Sequence, residues 1–170
     1  EIADTDLAKV GEPAVKLLQE IHDIFPAIEQ ETGVKIRFLL AIRRIALTII
    51  KDQKTSNTYL KESINVLRAV AKSPYVVGSD FIGEEINDIS ELQPAIDQIV
   101  KYVREEDPDF TIRIHAGEND SLRDNVRKSI LCVKEALAPN QKMPRCRLGH
   151  GLYSEDLNSE AGKELMELMR

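Results

Sequence analysis

One rhythm governs what this chain can fold into. Short apolar runs occupy residues 34–42 (VKIRFLLAI), 75–82 (YVVGSDFI), 110–116 (FTIRIHA) and 145–151 (RCRLGHG), and their starts lie 41, 35 and 35 residues apart. Between them the apolar residues recur at helical spacing. Strand and helix alternating at this interval predict right-handed βαβ units and a parallel sheet.

The intervening segments carry single apolar stripes. In 58–73 (TYLKESINVLRAVAKS), Leu60, Ile64, Leu67 and Ala71 step by three or four, and Ser73-Pro74 stops the helix. Residues 89–106 (ISELQPAIDQIVKYVREE) place Ile96, Ile99, Val100 and Val103 on one face. Residues 121–140 (SLRDNVRKSILCVKEALAPN) do the same with Val126, Ile130, Val133 and Leu137, with Ser121 as the expected N-cap and Pro139 as the stop. Near the start, EPAVKLLQEIHDIF (12–25) reads as a helix with Pro13 in its first turn and Pro26 interrupting it. IKDQKTSN (50–57) reads as a polar connection, and EEDPDF (105–110) as a turn between elements.

A doubly wound open sheet and part of a (β/α)8 barrel both fit this pattern. No G-x-G-x-x-G follows a strand, which counts against a dinucleotide-binding sheet. A full barrel needs about 250 residues, so these 170 would form about half of one. No low-complexity tract or linker divides them, and residues 1–170 are expected to form a single unit. The chain starts at Glu1 with no signal-peptide pattern, and its last stretch, GKELMELMR, stops inside an amphipathic helix. A piece of a longer protein is the expectation.

Composition narrows the functional classes. With 42% hydrophobic and 31% charged residues the chain is a globular type, and no apolar run approaches the ~20 residues of a membrane span. A net charge of −6 argues against a nucleic-acid groove. Two cysteines, Cys132 and Cys146, are too few for a disulfide framework, so a cytoplasmic setting is expected, with both thiols buried.

Unusual chemistry collects where the strands end. Arg43-Arg44 follows the first, Asp80 and Gly83-Glu84-Glu85 close the second, His115-Ala-Gly-Glu118 the third, and Gly149-His150-Gly151 the fourth. In parallel barrels these ends converge on one mouth, where active sites are built. His115 could ligate a metal or exchange a proton, and Glu118 could act as an acid in a dry pocket. A loop whose Glu118 pairs with Arg113 or Arg127 fits the same residues. Glycines flanking His150 free its ring to face a pocket, or make it a turn histidine bonded to backbone. His22 sits in a helical pattern without partners and reads as a surface or boundary residue.

In order, GVKIRFLLAIRR, VVGSDFIGEE, TIRIHAGEND and CRLGHGL resemble the adenosine deaminase family of the metal-dependent amidohydrolases, over residues 33–152 or so. HAGE followed about 30 residues later by GHG is a stronger signature than either motif alone. The resemblance implies a one-zinc (β/α)8 barrel of which these are the third to sixth strands. It implies that His115 is a zinc ligand and that Glu118 protonates purine N1 as water attacks C6. It further implies that His150 orients the zinc-bound water and moves its proton, and that the backbone N–H of Gly83 contacts purine N3. Asp80, Glu84 and Glu85 receive no catalytic role.

The family's H-x-H and D-D-P zinc motifs have no counterpart in the chain. By the resemblance, it supplies one zinc ligand of four. A catalytic zinc usually takes three protein ligands, so the chain alone is expected to bind zinc poorly and to be inactive. Open sheet edges and an apolar inner face are expected to drive self-association. The implied substrate is a purine nucleoside, with no nucleic-acid or membrane partner. A non-catalytic deaminase-like barrel with a binding or structural role, or another barrel amidohydrolase, stands as the alternative.

Overall fold

The computed structural model describes residue 9, residues 11–44, residue 47 and residues 53–170, with backbone alone for 53–57. Helices α1 (Glu12–His22) and α2 (Phe25–Thr32) lead into β1 (Phe38–Arg43). Then follow α3 (Gln53–Val70), β2 (Val76–Ile82), α4 (Gln93–Glu105), β3 (Thr111–Ala116), α5 (Asn125–Glu135), β4 (Cys146–His150) and α6 (Glu160–Met169). Short 3-10 turns at Ile89–Leu92 and Asp120–Leu122 precede α4 and α5.

All three strand pairings are parallel, and the order is β1-β2-β3-β4, the order of the chain itself. A doubly wound sheet reverses its order at a switch point. None occurs across these four strands. Consecutive right-handed crossovers without reversal put the connecting helices α3, α4 and α5 on the same face. The core lies on that face: Ile42, Phe81, Ile112 and Ile114 of the sheet meet Leu67, Ile96, Ile99, Val103 and Val133 of the helices, all buried. Among the described residues, no helix is long and apolar enough to cross a membrane.

Alternation along β3 is clean, with Ile112, Ile114 and Ala116 buried and Thr111, Arg113 and His115 half-buried on the opposite face. Register carries that second face across the sheet: Asp80 stands beside Arg113, Arg113 beside Arg147, and His115 beside Gly149. Toward β1 the same face carries Leu39, Ala41 and Ile82, so the expected apolar inner face is mixed, apolar there and polar at β3 and β4. Every second residue of TIRIHA and CRLGH that escapes the core is polar, basic or glycine.

Several local expectations shift. β1 starts at Phe38 instead of residue 34, because Gly33 caps α2 in a left-handed conformation and Arg37 turns back to bond Glu29 at 2.9 Å. Pro26 opens α2 in its first turn, so the break it marks is also a start. Residues 53–57 are the first turn and a half of α3 instead of a connection, whereas 50–52 lie outside the described residues. Ser121 sits inside a 3-10 turn capped by Asn119, whose side chain accepts from the Ser121 N–H at 2.9 Å. Helix α5 ends at Glu135, before Pro139 is reached.

His22 has partners: its Nε2 lies 2.6 Å from Ser73 Oγ and its ring packs 4.7 Å from that of Tyr75. Cys132 is buried as expected, but Cys146 is exposed, on a strand that among the described residues pairs on one side alone. The burial its thiol does have, beside the groove lined by Ile130, Val133 and Leu148, pushes it up to about 11.

Candidate functional site

The parallel register aligns the C-terminal strand ends, with Arg43 opposite Ile82 and Ala116 opposite His150. Chain turns leave that edge sharply. Gly83, Gly117 and Gly151 adopt φ of 107°, 74° and 66°, and His150, a non-glycine, takes 66°. A left-handed histidine is uncommon and costs energy that the surroundings must offset. Here the Gly151 N–H bonds Ala116 O at 2.9 Å, and the N–H groups of Leu152 and Tyr153 bond Gly117 O at 3.1 and 3.0 Å. Gly117 itself has no room for a side chain, since a Cβ there would stand 2.8 Å from Val126 Cγ2 and 2.9 Å from Tyr153 O.

His115 is the best-defined group on the edge. Its Nδ1 lies 2.9 Å from Asp80 Oδ1 and 3.2 Å from Phe81 O, both acceptors, so Nδ1 carries a proton. Nε2 is then the atom with a lone pair to offer a ligand whenever the ring is neutral. Asp80 is buried and is itself oriented by Arg113 Nη1 at 3.2 Å from its other oxygen. The His115 ring lies over Gly149 and 5.0 Å from the His150 ring, tilted by 55°. Two of the expected site residues thus come together.

Glu118 stands on the exposed turn after β3. Among the described residues its carboxylate makes no hydrogen bond. Arg113 is engaged by Asp80, and Arg127 by Glu164 at 2.9 Å, so neither pairs with Glu118 as the loop account requires. His150 is exposed at the end of β4. Gly83 leaves β2 on the same edge, packed against Arg44, and no hydrogen bond joins it to His115, Glu118 or His150. Among the described residues, no group of three or more His, Cys, Asp or Glu side chains is placed to hold a metal ion.

The supporting residues are those that sequence reading left without a role. Arg44 is fully buried, donating from Nη1 to His115 O at 3.0 Å and from Nη2 to Asn87 O at 3.4 Å. Its burial lowers the guanidinium from its usual value, against the attraction of Glu85 and Glu118. Glu85 is buried and accepts the N–H groups of both Gly117 and Glu118. Asp80 carried a signal that could have found it: an acid inside the apolar run YVVGSDFI must be paired when that strand is buried. Glu85 carried none, because the N–H groups it meets lie more than thirty residues downstream.

Compared with known proteins, the chain matches no family model, no curated sequence and no solved structure.

Proposed function

We propose that these four strands are the third to sixth of a (β/α)8 barrel in a zinc-dependent adenosine deaminase-like hydrolase, converting adenosine to inosine and ammonia. One observation carries the proposal: His115, its Nδ1 tied to Asp80 at 2.9 Å, lies beside His150 at the C-terminal edge of a sequentially ordered parallel sheet. Histidines that ligate metals characteristically give their other ring N–H to a carboxylate or carbonyl, and His115 has both within reach. His115 thus fits zinc as one donor, and the remaining ligands belong, in this proposal, to other strands of the barrel. When bound, zinc supplies the Lewis acidity that makes a hydroxide nucleophile accessible near neutral pH.

The chain's own groups divide the proton work. Glu118 delivers a proton to purine N1, which makes C6 electrophilic enough for attack. His150 orients the attacking water and removes its proton. As hydroxyl adds to C6 and the C6–N bond breaks, that proton leaves with the amino group as ammonia, and the remaining hydroxyl proton returns to Glu118 as the C6 carbonyl forms. The Gly83 N–H donates to purine N3 and fixes the ring. Against this stands the exposure of Glu118, which favours the alternative of a deaminase-like barrel with a binding role, since proton donation near neutrality calls for a drier carboxyl.

Zinc-loaded intact protein carrying this chain is expected to release ammonia from adenosine, and Glu118→Gln to abolish release while zinc content stays unchanged. Full activity in that variant would sink the role given to Glu118. A wild-type protein that holds zinc yet releases no ammonia would favour the binding role.

A further inference from the structure

We infer that Glu85 is a positioning residue whose buried carboxylate clamps the His115–Glu118 turn, and that this clamp closes the turn to anionic ligands. The expected effect on turnover rests on the deaminase proposal; the clamp and the anion exclusion do not.

Glu85 is 1% exposed, and a carboxylate so buried must be compensated by donors. Three converge on it. Oε1 accepts the Gly117 N–H at 3.1 Å and Asn125 Nδ2 at 2.8 Å, while Oε2 accepts the Glu118 N–H at 2.7 Å. The Glu85 carbonyl also accepts Asn119 Nδ2 at 2.7 Å. Asn125 cannot drift, because its Oδ1 receives the Ile89 N–H at 2.9 Å and its Nδ2 also reaches Asn87 O at 3.1 Å. Buried Arg44 attracts Glu85 and bonds His115 O. From residue 115 to 119 the turn is held by groups that follow β1 and β2.

Two consequences follow. The Glu118 carboxylate makes no hydrogen bond among the described residues, so its location is set by the backbone that Glu85 holds. Charge-assisted bonds of this kind are roughly twice as strong as neutral ones, which suits a fixed proton donor. In addition, successive N–H groups at a turn containing a left-handed residue ordinarily form an anion-binding nest. Those of Gly117 and Glu118 are already filled by a carboxylate. A phosphate or other anion therefore finds neither of these N–H groups free to bind it.

Amide hydrogen exchange on the chain without substrate tests the clamp. In the wild type, the Gly117 and Glu118 amides are expected to exchange at least about 100-fold more slowly than in an unstructured peptide. Glu85→Gln places an NH2 against an N–H donor and should remove most of that protection, leaving Ile112 and Ile114 slow. Unprotected Gly117 and Glu118 amides in the wild type would overturn the clamp without any variant. Acceleration spread evenly through β3 in Glu85→Gln would do so too, by making Glu85 a general stability residue. Inorganic phosphate should leave both wild-type amide resonances unmoved; a saturable shift overturns the anion exclusion. In intact protein that deaminates adenosine, Glu85→Gln should lower kcat at least about tenfold with little change in KM, and an unchanged kcat counts against positioning. An inactive wild type refutes the deaminase proposal and leaves the exchange result standing.

Discussion

Gly149→Ala is the sharpest test of how His115 is held. Gly149 stands opposite His115 in the β3–β4 register, and a Cβ there would lie 2.9 Å from Cδ2, 3.1 Å from Cγ and 3.2 Å from Nε2. Ordinary carbon contacts begin near about 3.5 Å, so three ring atoms must retreat together. A rotation about one bond cannot achieve this while Nδ1 stays 2.9 Å from Asp80. Either the strands strain, at about 1–3 kcal/mol for an overpacked site, or the ring tilts and gives up a bond to a buried carboxylate at similar cost. The cheaper route prevails, so the expected loss is about 1–3 kcal/mol, or about 2–4 °C in Tm for each kcal/mol in a chain of this size. Gly151→Ala is the control: it has open space but a φ of 66°, so it loses about 1–2 kcal/mol from backbone strain alone and leaves His115 in place. Thermal unfolding gives the energies, and the low-field Nδ1–H resonance of His115 reports the bond to Asp80. Gly149→Ala with both the wild-type midpoint and an intact resonance would refute the close packing of ring on glycine.

Two further outcomes follow from the fold. Phe81 is fully buried between the sheet and its helices, so Phe81→Ala should cost about 3–5 kcal/mol in urea unfolding, a large share of the about 5–15 typical of a domain; a loss below about 1 kcal/mol would mean that the helices do not cover β2. Partial burial works to raise the Asp88 carboxyl, but hydrogen bonds from Lys128 and Ser90 prevail and hold it at about 2. Its contribution to stability is then full above the ordinary value of 3.8 and lost as pH falls toward about 2. Asp88→Asn should flatten the acid limb of the stability profile in that window, and an unchanged limb would remove Asp88 from the account.

The alternation of strands and helices was legible because apolar periodicity records burial directly: all four strands overlap the apolar runs, although β1 starts late, and the inner face of α4 lies where that periodicity puts it. What escaped notice was whatever lacks an apolar signal. The start of α3 runs through Gln53-Lys54-Thr55-Ser56-Asn57, where no residue marks an inward face. Asn119 caps a 3-10 turn that Ser121 was expected to cap for a helix, because both residue types accept backbone N–H groups equally well. At the candidate site, the meeting of His115 with His150 follows from strand-end position. The roles of Asp80, Glu85 and Arg44 do not, since each depends on an acceptor or donor brought near by tertiary packing.

The strand order has a consequence for how the molecule comes apart. Packing runs mainly between neighbours in the sheet and its helix layer: each strand with the next, α3 with α4, α4 with α5 and α5 with α6, with α1 laid against α3. Such a chain approximates a one-dimensional stack, in which a unit is stabilised chiefly by its neighbours, apart from ties such as Arg44 to His115 O. Loop closures are short, so assembly is favoured kinetically over folds that must join remote strands first. Loss of order should therefore advance inward from β1 and β4. The β2–α4–β3 unit, covered on both flanks, should open last, and it holds the Asp80–His115 pair. The groups that define the candidate site sit in the part of the stack that lets go last.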